Sequence, residues 1–524
     1  MILRTQYLER IRPFYGSELI KVIIGVRRCC KSVLLRQIAD EIRAEHFDSM
    51  EPDTLVFVDF DDYANRELTD PDKLYRHIKP KLSDERKTYL LFDEIQNVRD
   101  FELVVNSFNT TDNVSIFLTG SNSKLLSGEL ATRLGGRTVS FHVMPFNFRE
   151  FCCFKEAQLH SEASEGHLDE SMLLDEYLTW GGFPLVCGQE LAESRRVVLD
   201  NLYNSIVLRD IIQRNKVSSA TTLENVLDYL IANSSSTVSG NNIAAELTDS
   251  VRKVSAPTVY DLIRYIEEAY VVGRAERYDI RGKKKLRFEA KEYVCDLGLF
   301  HLRKNRVKDE WNCVVETVVY NELISRGMQV YVGKLHKSEI DFVVERDGRR
   351  CYVQVAYVMA SESTIDREFG ALEAIGDSYP KYVVSMDPVV ASRNGITHVR
   401  LSDFLRDESL LRLGWGRCRP LCLASAMAGP LFQRGFVVVA PRLCIDGLLD
   451  LTSWTRDDVL DVPESHSTKE REMILRECNH PVAPARESRA SKTLRAVVYG
   501  AAVGDALGVP YECMERGTFA CEGP

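Results

Sequence analysis

Near the start of the chain, four side chains have the types and spacing to handle a phosphate: Lys31, Ser32, Asp93 and Glu94. Lys31 and Ser32 close the run Gly25-Val26-Arg27-Arg28-Cys29-Cys30-Lys31-Ser32-Val33, which follows the pattern G-x-x-x-x-G-K-[ST] at every fixed position but one. In such a loop, backbone N–H groups and the following helix N-terminus converge on phosphate oxygens. The lysine adds a point charge, and the hydroxyl goes to Mg²⁺. Asp93 and Glu94 end the apolar run Tyr89-Leu90-Leu91-Phe92, where one carboxylate would hold the metal and the next would polarise an attacking water. The exception is Cys30, which stands where the pattern has its second glycine. A Cβ and a sulfur there cost backbone freedom close to the phosphate.

These groups need a frame. Val22–Ile24 reads as a buried strand, and Val33, Leu34, Leu35 and Ile38 mark an amphipathic helix opening at Lys31. Leu55–Phe60, Thr88–Asp93 and Val114–Leu118 read as further buried strands of one parallel α/β sheet, whose ligands gather at the carboxyl ends. The polar end of the last of these, Thr119 to Asn122 with Ser121, lies where a γ-phosphate or the attacking water would be sensed. Arg133 and Arg137, in a Gly-rich turn, are the candidates for a transition-state arginine.

Gly25-Val26-Arg27-Arg28-Cys29, Lys31-Ser32, Leu91-Phe92-Asp93-Glu94-Ile95-Gln96, Leu118-Thr119-Gly120-Ser121 and Gly136-Arg137 together resemble a prokaryotic family of AAA-type P-loop ATPases. Its members carry a C-terminal domain of unknown function related in fold to restriction endonucleases. The resemblance runs from about residue 1 to about 410 and departs from the family at Cys30. It implies ATP and Mg²⁺ as cofactors, with ATP bound by residues 25–33 and Ser121. It also implies that Ser32 and Asp93 hold the metal and that Lys31 and Glu94 serve catalysis; of the two arginines in the Gly-rich turn, Arg137 is taken as the catalytic one.

A chain of 524 residues holds several domains, and 45% hydrophobic with 27% charged residues is the composition of a soluble globular protein. The net charge of −10 argues against a general nucleic-acid coat, so any DNA contact has to use a local basic patch. No stretch is apolar enough for a membrane helix. Fourteen scattered cysteines, with no leader-like start, suit a reducing cytoplasm. After the ATPase domain at 1–150, residues 151–220 read as a helical connector. It holds a turn at Trp180-Gly181-Gly182-Phe183 and a helix over Asn201–Arg214 with Arg209-Asp210 as an internal charge pair.

At 221–310 three helices and a basic hairpin, Arg281-Gly282-Lys283-Lys284-Lys285, form a winged-helix pattern. Arg281, Lys283, Lys284 and Lys285 would take DNA phosphates at salt-dependent affinity. A protein-binding or spacer role fits the same pattern. Residues 311–415 carry the skeleton of a PD-(D/E)XK nuclease: Glu316 on a helix, Asp341 on a strand, then a hairpin at Asp347-Gly348 to a second strand. The Glu-x-Lys place reads Gln354-Val355-Ala356, a poor set for Mg²⁺, so this site is expected to be degenerate and inactive.

Residues 416–491 read as linker or disorder, and their cysteines are too irregularly spaced for zinc. Leu494–Glu512 resembles the first helix of ADP-ribosylglycohydrolases. That similarity stops at Pro524, before that family's metal-binding acidic motifs, which points to a fused or truncated reading frame. Two functions follow for the whole: a Mg²⁺-dependent ATPase that moves its C-terminal domains, or a non-hydrolysing relative acting through DNA or an unknown protein partner.

Overall fold

The computed structural model describes residues 2–411, apart from 46–53, 84, 112, 122–133, 135, 162–168, 249–253, 304–310, 336–337 and 389–391. The readings made for Arg133, Asn122 and everything from residue 412 onward, the glycohydrolase-like stretch included, lie outside the described residues.

Strands β1 (Ile20–Ile24), β2 (Thr54–Asp59), β3 (Thr88–Asp93), β4 (Val114–Gly120) and β5 (Thr138–His142) form a five-stranded sheet in the order β2-β3-β4-β1-β5. Every pairing in it is parallel. Alternation along the strands explains why the runs are apolar throughout. Ile23, Leu91 and Phe117 join Leu34, Leu35 and Ile38 in a core on one face. Val22, Ile24, Leu90, Phe92, Ile116 and Leu118 join Leu74, Ile78 and Phe108 on the other. A parallel sheet covered on both faces demands this continuous hydrophobicity. Two helices matter most here: α1 (Thr5–Ile11) and α2 (Lys31–Glu45), the latter opening at Lys31 as the pattern requires.

The connector is helical over Phe148–Ser161, Glu170–Trp180 and Ala192–Ser205. The helix expected over 201–214 then changes character: Ile206–Gln213 is π-helical, with wider i→i+5 turns. The turn at Trp180-Gly181-Gly182 closes on a buried carboxylate. Gly182 N donates to Asp296 Oδ2 at 2.7 Å, and a Cβ on Gly181, at φ +72°, would overlap Asp296.

Helices Ala220–Ala232, Gly240–Leu247 and Ala256–Glu268 follow, each with a serine N-cap (Ser219, Ser239, Ser255) whose side chain accepts a backbone N–H of its first turn. A second, eight-stranded sheet takes up β6 (Ser236–Thr237), β7 (Val272–Asp279), β8 (Lys284–Val294), β9 (Gln329–Leu335), β10 (Ser338–Arg346), β11 (Arg349–Ala356), β12 (Lys381–Ser385) and β13 (Thr397–Arg400). Its order is β13-β12-β11-β10-β9-β7-β8-β6. The boundary read at 310 therefore does not interrupt the sheet, because β7 pairs in parallel with β9, Arg277 opposite Val332. The hairpin at Asp347-Gly348 is present, with φ of +52° and +75°, the left-handed pair that a two-residue turn with right-handed strand twist requires. Among the described residues no helix is long and apolar enough to cross a membrane.

Candidate nucleotide site

The loop between β1 and α2 sits at the carboxyl end of the first sheet, and the structure brings Lys31, Ser32, Asp93 and Glu94 to it. Gly25 leaves β1 at φ +152°, and a Cβ there would lie 2.1 Å from the Val143 carbonyl, so only glycine lets the chain turn. Cys30 takes φ +72° and Arg28 φ +64°. Cys30 thus adopts the left-handed geometry of the glycine it replaces and carries the strain of a side chain there, on the order of 1–2 kcal/mol. Its side chain packs against the core cluster that holds Cys29. Cys29 itself is fully buried, its Sγ donating to Val143 O at 3.2 Å. The pattern is broken in side chain but kept in backbone.

Lys31 Nζ donates to the Gly25 and Val26 carbonyls, each at 3.0 Å, so the ammonium closes the loop on itself. The Asp93 carboxylate accepts from Thr119 Oγ1, and the Ser32 hydroxyl beside it also favours its charged form. Asp93 is buried at 1% exposure, and burial lifts its carboxyl above the ordinary range against those two hydroxyls. The hydroxyl and carboxylate oxygens gathered here are hard donors of the kind Mg²⁺ takes, and the residues present fit that ion. Glu94 stands next to them in a left-handed conformation, φ +54°, ψ +47°, its N–H donating to Thr119 Oγ1 at 2.9 Å and a carboxylate oxygen accepting from Gln96 Nε2. A non-glycine residue held in that region is a strain typical of functional positions.

Several expectations shift. Thr119, read as part of a phosphate sensor, is committed to bracing Asp93 and Glu94. Ser121 is buried and donates to Asp210 Oδ1 at 3.2 Å. Arg137 is not brought to the site. It is exposed, and its carbonyl accepts from Ile20 N at the opposite end of β1, a strand of five residues and so about 16 Å long. The pairing of Arg209 with Asp210 is replaced: Arg209 is exposed, whereas Asp210 is buried and bonded to Arg27 of the loop, Nε to Oδ2 at 2.8 Å. Neighbouring residues on a helix point apart, which is the physical reason.

Sequence reading missed Arg4. Fully buried, it donates to Cys29 O at 3.0 Å, Met144 O at 2.8 Å and Glu150 Oε1 at 2.7 Å, tying the loop to the start of the connector. The only advance sign was an arginine just ahead of an amphipathic helix.

At the second constellation, Asp341 and Gln354 do meet: Asp341 N donates to Gln354 Oε1 at 3.3 Å, and Val355 N to Asp341 Oδ2 at 2.8 Å. Gln354 then turns to Glu368, 3.0 Å away. Burial, with the Glu316 charge added, pushes the Asp341 carboxyl well up. The unexpected member is Lys291 of β8. Its Nζ lies 3.0 Å from Glu316 Oε1 and 2.8 Å from Glu339 Oε1, and Tyr293 OH donates to Glu316 at 2.7 Å. Lys291 is thus locked into ion pairs with both carboxylates. Of the basic hairpin, Arg281, Lys283 and Lys284 are exposed at the tip, whereas Lys285 donates to Tyr331 OH and lies over that ring.

Comparison with known proteins agrees with the geometry. A family model described as an AAA domain matches residues 17–152, and a second, a domain of unknown function (DUF8612), matches 171–309. An uncharacterized protein of Haemophilus influenzae is 33% identical over 386 residues, spanning 74% of this chain and 93% of that one. An uncharacterized protein of Methanocaldococcus jannaschii is 30% identical over 362 residues, 68% of this chain and 78% of that one. Among solved structures, the Aeropyrum pernix ORC1 protein in complex with DNA is similar at a TM-score of 0.29 and 12% identity, over 58% of this chain and 92% of that one. A likeness that slight carries nothing about function. The identity to the Haemophilus protein, by its extent, places this chain in the same family, and residues 17–152 of this chain match the AAA domain.

Proposed function

We propose that the protein binds ATP with Mg²⁺ and hydrolyses it, and that nucleotide state acts on the domains that follow. The observation that carries the reading is the meeting of Ser32 and Asp93 beside a strained Glu94, at the mouth of a loop whose Lys31 opens a helix. In this reading residues 25–33 hold the phosphates through backbone N–H groups, Lys31 supplies charge, and Ser32 with Asp93 would hold the metal. Held there, the ion would supply positive charge against the charge that develops on the phosphate. Glu94 takes a proton from the attacking water. Residues 221–310 serve as a winged-helix-like element and 311–415 as an inactive PD-(D/E)XK-like core, with the cations at the hairpin tip as the DNA contact.

The strain at Cys30 favours one alternative, a degenerate relative that acts through contacts without turnover. ATP binding and phosphate release, measured with Mg²⁺ for the natural chain, Lys31→Ala and Cys30→Gly, separate the two. Turnover by the natural chain that is lost in Lys31→Ala upholds the ATPase. Binding seen only with Cys30→Gly leaves the degenerate reading.

A further inference from the structure

The Asp210 carboxylate is 2% exposed and ringed by donors that come from three parts of the molecule. Arg27 of the phosphate loop donates through Nε at 2.8 Å and Nη2 at 3.4 Å. Ser121, at the end of β4, donates at 3.2 Å, and the Arg214 guanidinium lies 3.6 Å away. Arg27 and Ser121 are groups the nucleotide reading assigns to phosphate. Arg214 adds an independent sign: among the described residues its buried Nη1 makes no hydrogen bond, although the charges of Asp210, Glu94 and Arg27 all act on the group. A buried guanidinium N–H without an acceptor is unfavourable. The arrangement has donors to spare for an anion with more oxygens than a carboxylate.

Resting on the nucleotide reading, we propose that Asp210 is an internal competitor for the terminal phosphate. Its carboxylate binds the same donors, so the phosphate of a nucleoside triphosphate takes Arg27, Ser121 and Arg214 only by displacing it. At 2% exposure Asp210 cannot lose its partners in place, because an unpaired buried carboxylate is strongly unfavourable. The displaced side chain has to carry its backbone with it. That backbone is Ile206–Gln213, the π-helical segment, whose wider turns leave a register open to tightening into an α-helix. One anion exchange thus converts phosphate occupancy into movement of the connector. A diphosphate, which lacks the terminal phosphate, leaves the latch closed.

The test uses the full chain, a fluorescent ATP analogue and its ADP counterpart, each with Mg²⁺, and Lys31→Ala as the reference for site-specific binding. Asp210→Asn and Asp210→Ala are expected to bind the triphosphate about tenfold more tightly, with the diphosphate changed less, as freed charge-assisted donors would give. In the natural chain, hydrogen exchange across 206–213 is expected to rise with triphosphate and not with diphosphate, a readout that needs no Asp210 variant. Lys31-dependent binding that the Asp210 variants leave unchanged or weaken, with no change in exchange across 206–213, overturns the competitor and leaves nucleotide binding standing. Absence of Lys31-dependent binding in the natural chain and in both variants overturns the two together.

Discussion

The protein has two places where a lysine and several acids are drawn together, and they are built to opposite ends. Around the phosphate loop, Lys31 is held, among the described residues, by two backbone carbonyls, while Asp93 is held by side-chain hydroxyls. Around Lys291, the ammonium is bonded to Glu316 and Glu339. Asp341 is taken up by the backbone of Val355, and Gln354 is spent on Glu368. A site that does chemistry has to keep some hydrogen-bonding capacity unspent, or spent on partners that are cheap to exchange. The first does so. The second has become an ion-paired joint between β8, β10 and the helix Trp311–Ser325.

The sharpest way to break this contrast is Lys291→Met. It leaves Glu316 buried without its cation, and urea unfolding is expected to show a loss of roughly 3 kcal/mol, near the low end for a broken buried pair because Glu339 is partly exposed. At the loop the largest effect is on rate: Glu94→Gln is expected to lower phosphate release about a hundredfold while fluorescent-nucleotide affinity stays within twofold or so. Retained turnover would move the base elsewhere.

A pH series probes the closed cluster again. Asp341 has its folded pKa raised, so between the ordinary carboxylate range and that raised value the folded state holds more protons than the unfolded one. Stability therefore falls as pH rises through that interval, by at most about 1.4 kcal/mol per pH unit. Asp341→Asn is expected to flatten the slope. An unchanged slope would show that Asp341 is ionised throughout. Smallest is Cys30→Gly, which relieves the left-handed strain and is expected to raise stability by about 1 kcal/mol in the same urea assay.

How much of this was legible in advance divides along the same line. Strands with unbroken apolar runs, such as Leu90–Phe92 and Ile116–Leu118, announced a parallel sheet covered on both faces. Lys31-Ser32 and Asp93-Glu94 announced what stands at its carboxyl end. Those signals are local in sequence. What stayed hidden depends on residues far apart in the chain. Asp210 looked like a partner for its neighbour Arg209 and instead crosses to Arg27. Arg137 looked like part of the site and lies at the wrong end of β1, because a turn entering a parallel strand sits at the edge opposite the ligands. Lys291 could not be linked to Glu316 or Asp341 before β7 and β8 were known to join the sheet of β9 and β10. Asp347-Gly348 did fix a pairing in advance, but a local one, since its turn geometry specifies the register of the adjacent strands on both sides.

Arg4 carries a consequence for anyone handling the molecule. Its guanidinium reaches Cys29 O, Met144 O and Glu150 from a position four residues into the chain, and Arg4 N is itself held by Gln37 Oε1 at 3.0 Å. The leading residues thus work as a splint on the phosphate loop. Trimming them, or crowding them with a bulky fusion partner, would soften the loop from behind without altering a single residue that faces the nucleotide, and the preparation would pass for a weak binder.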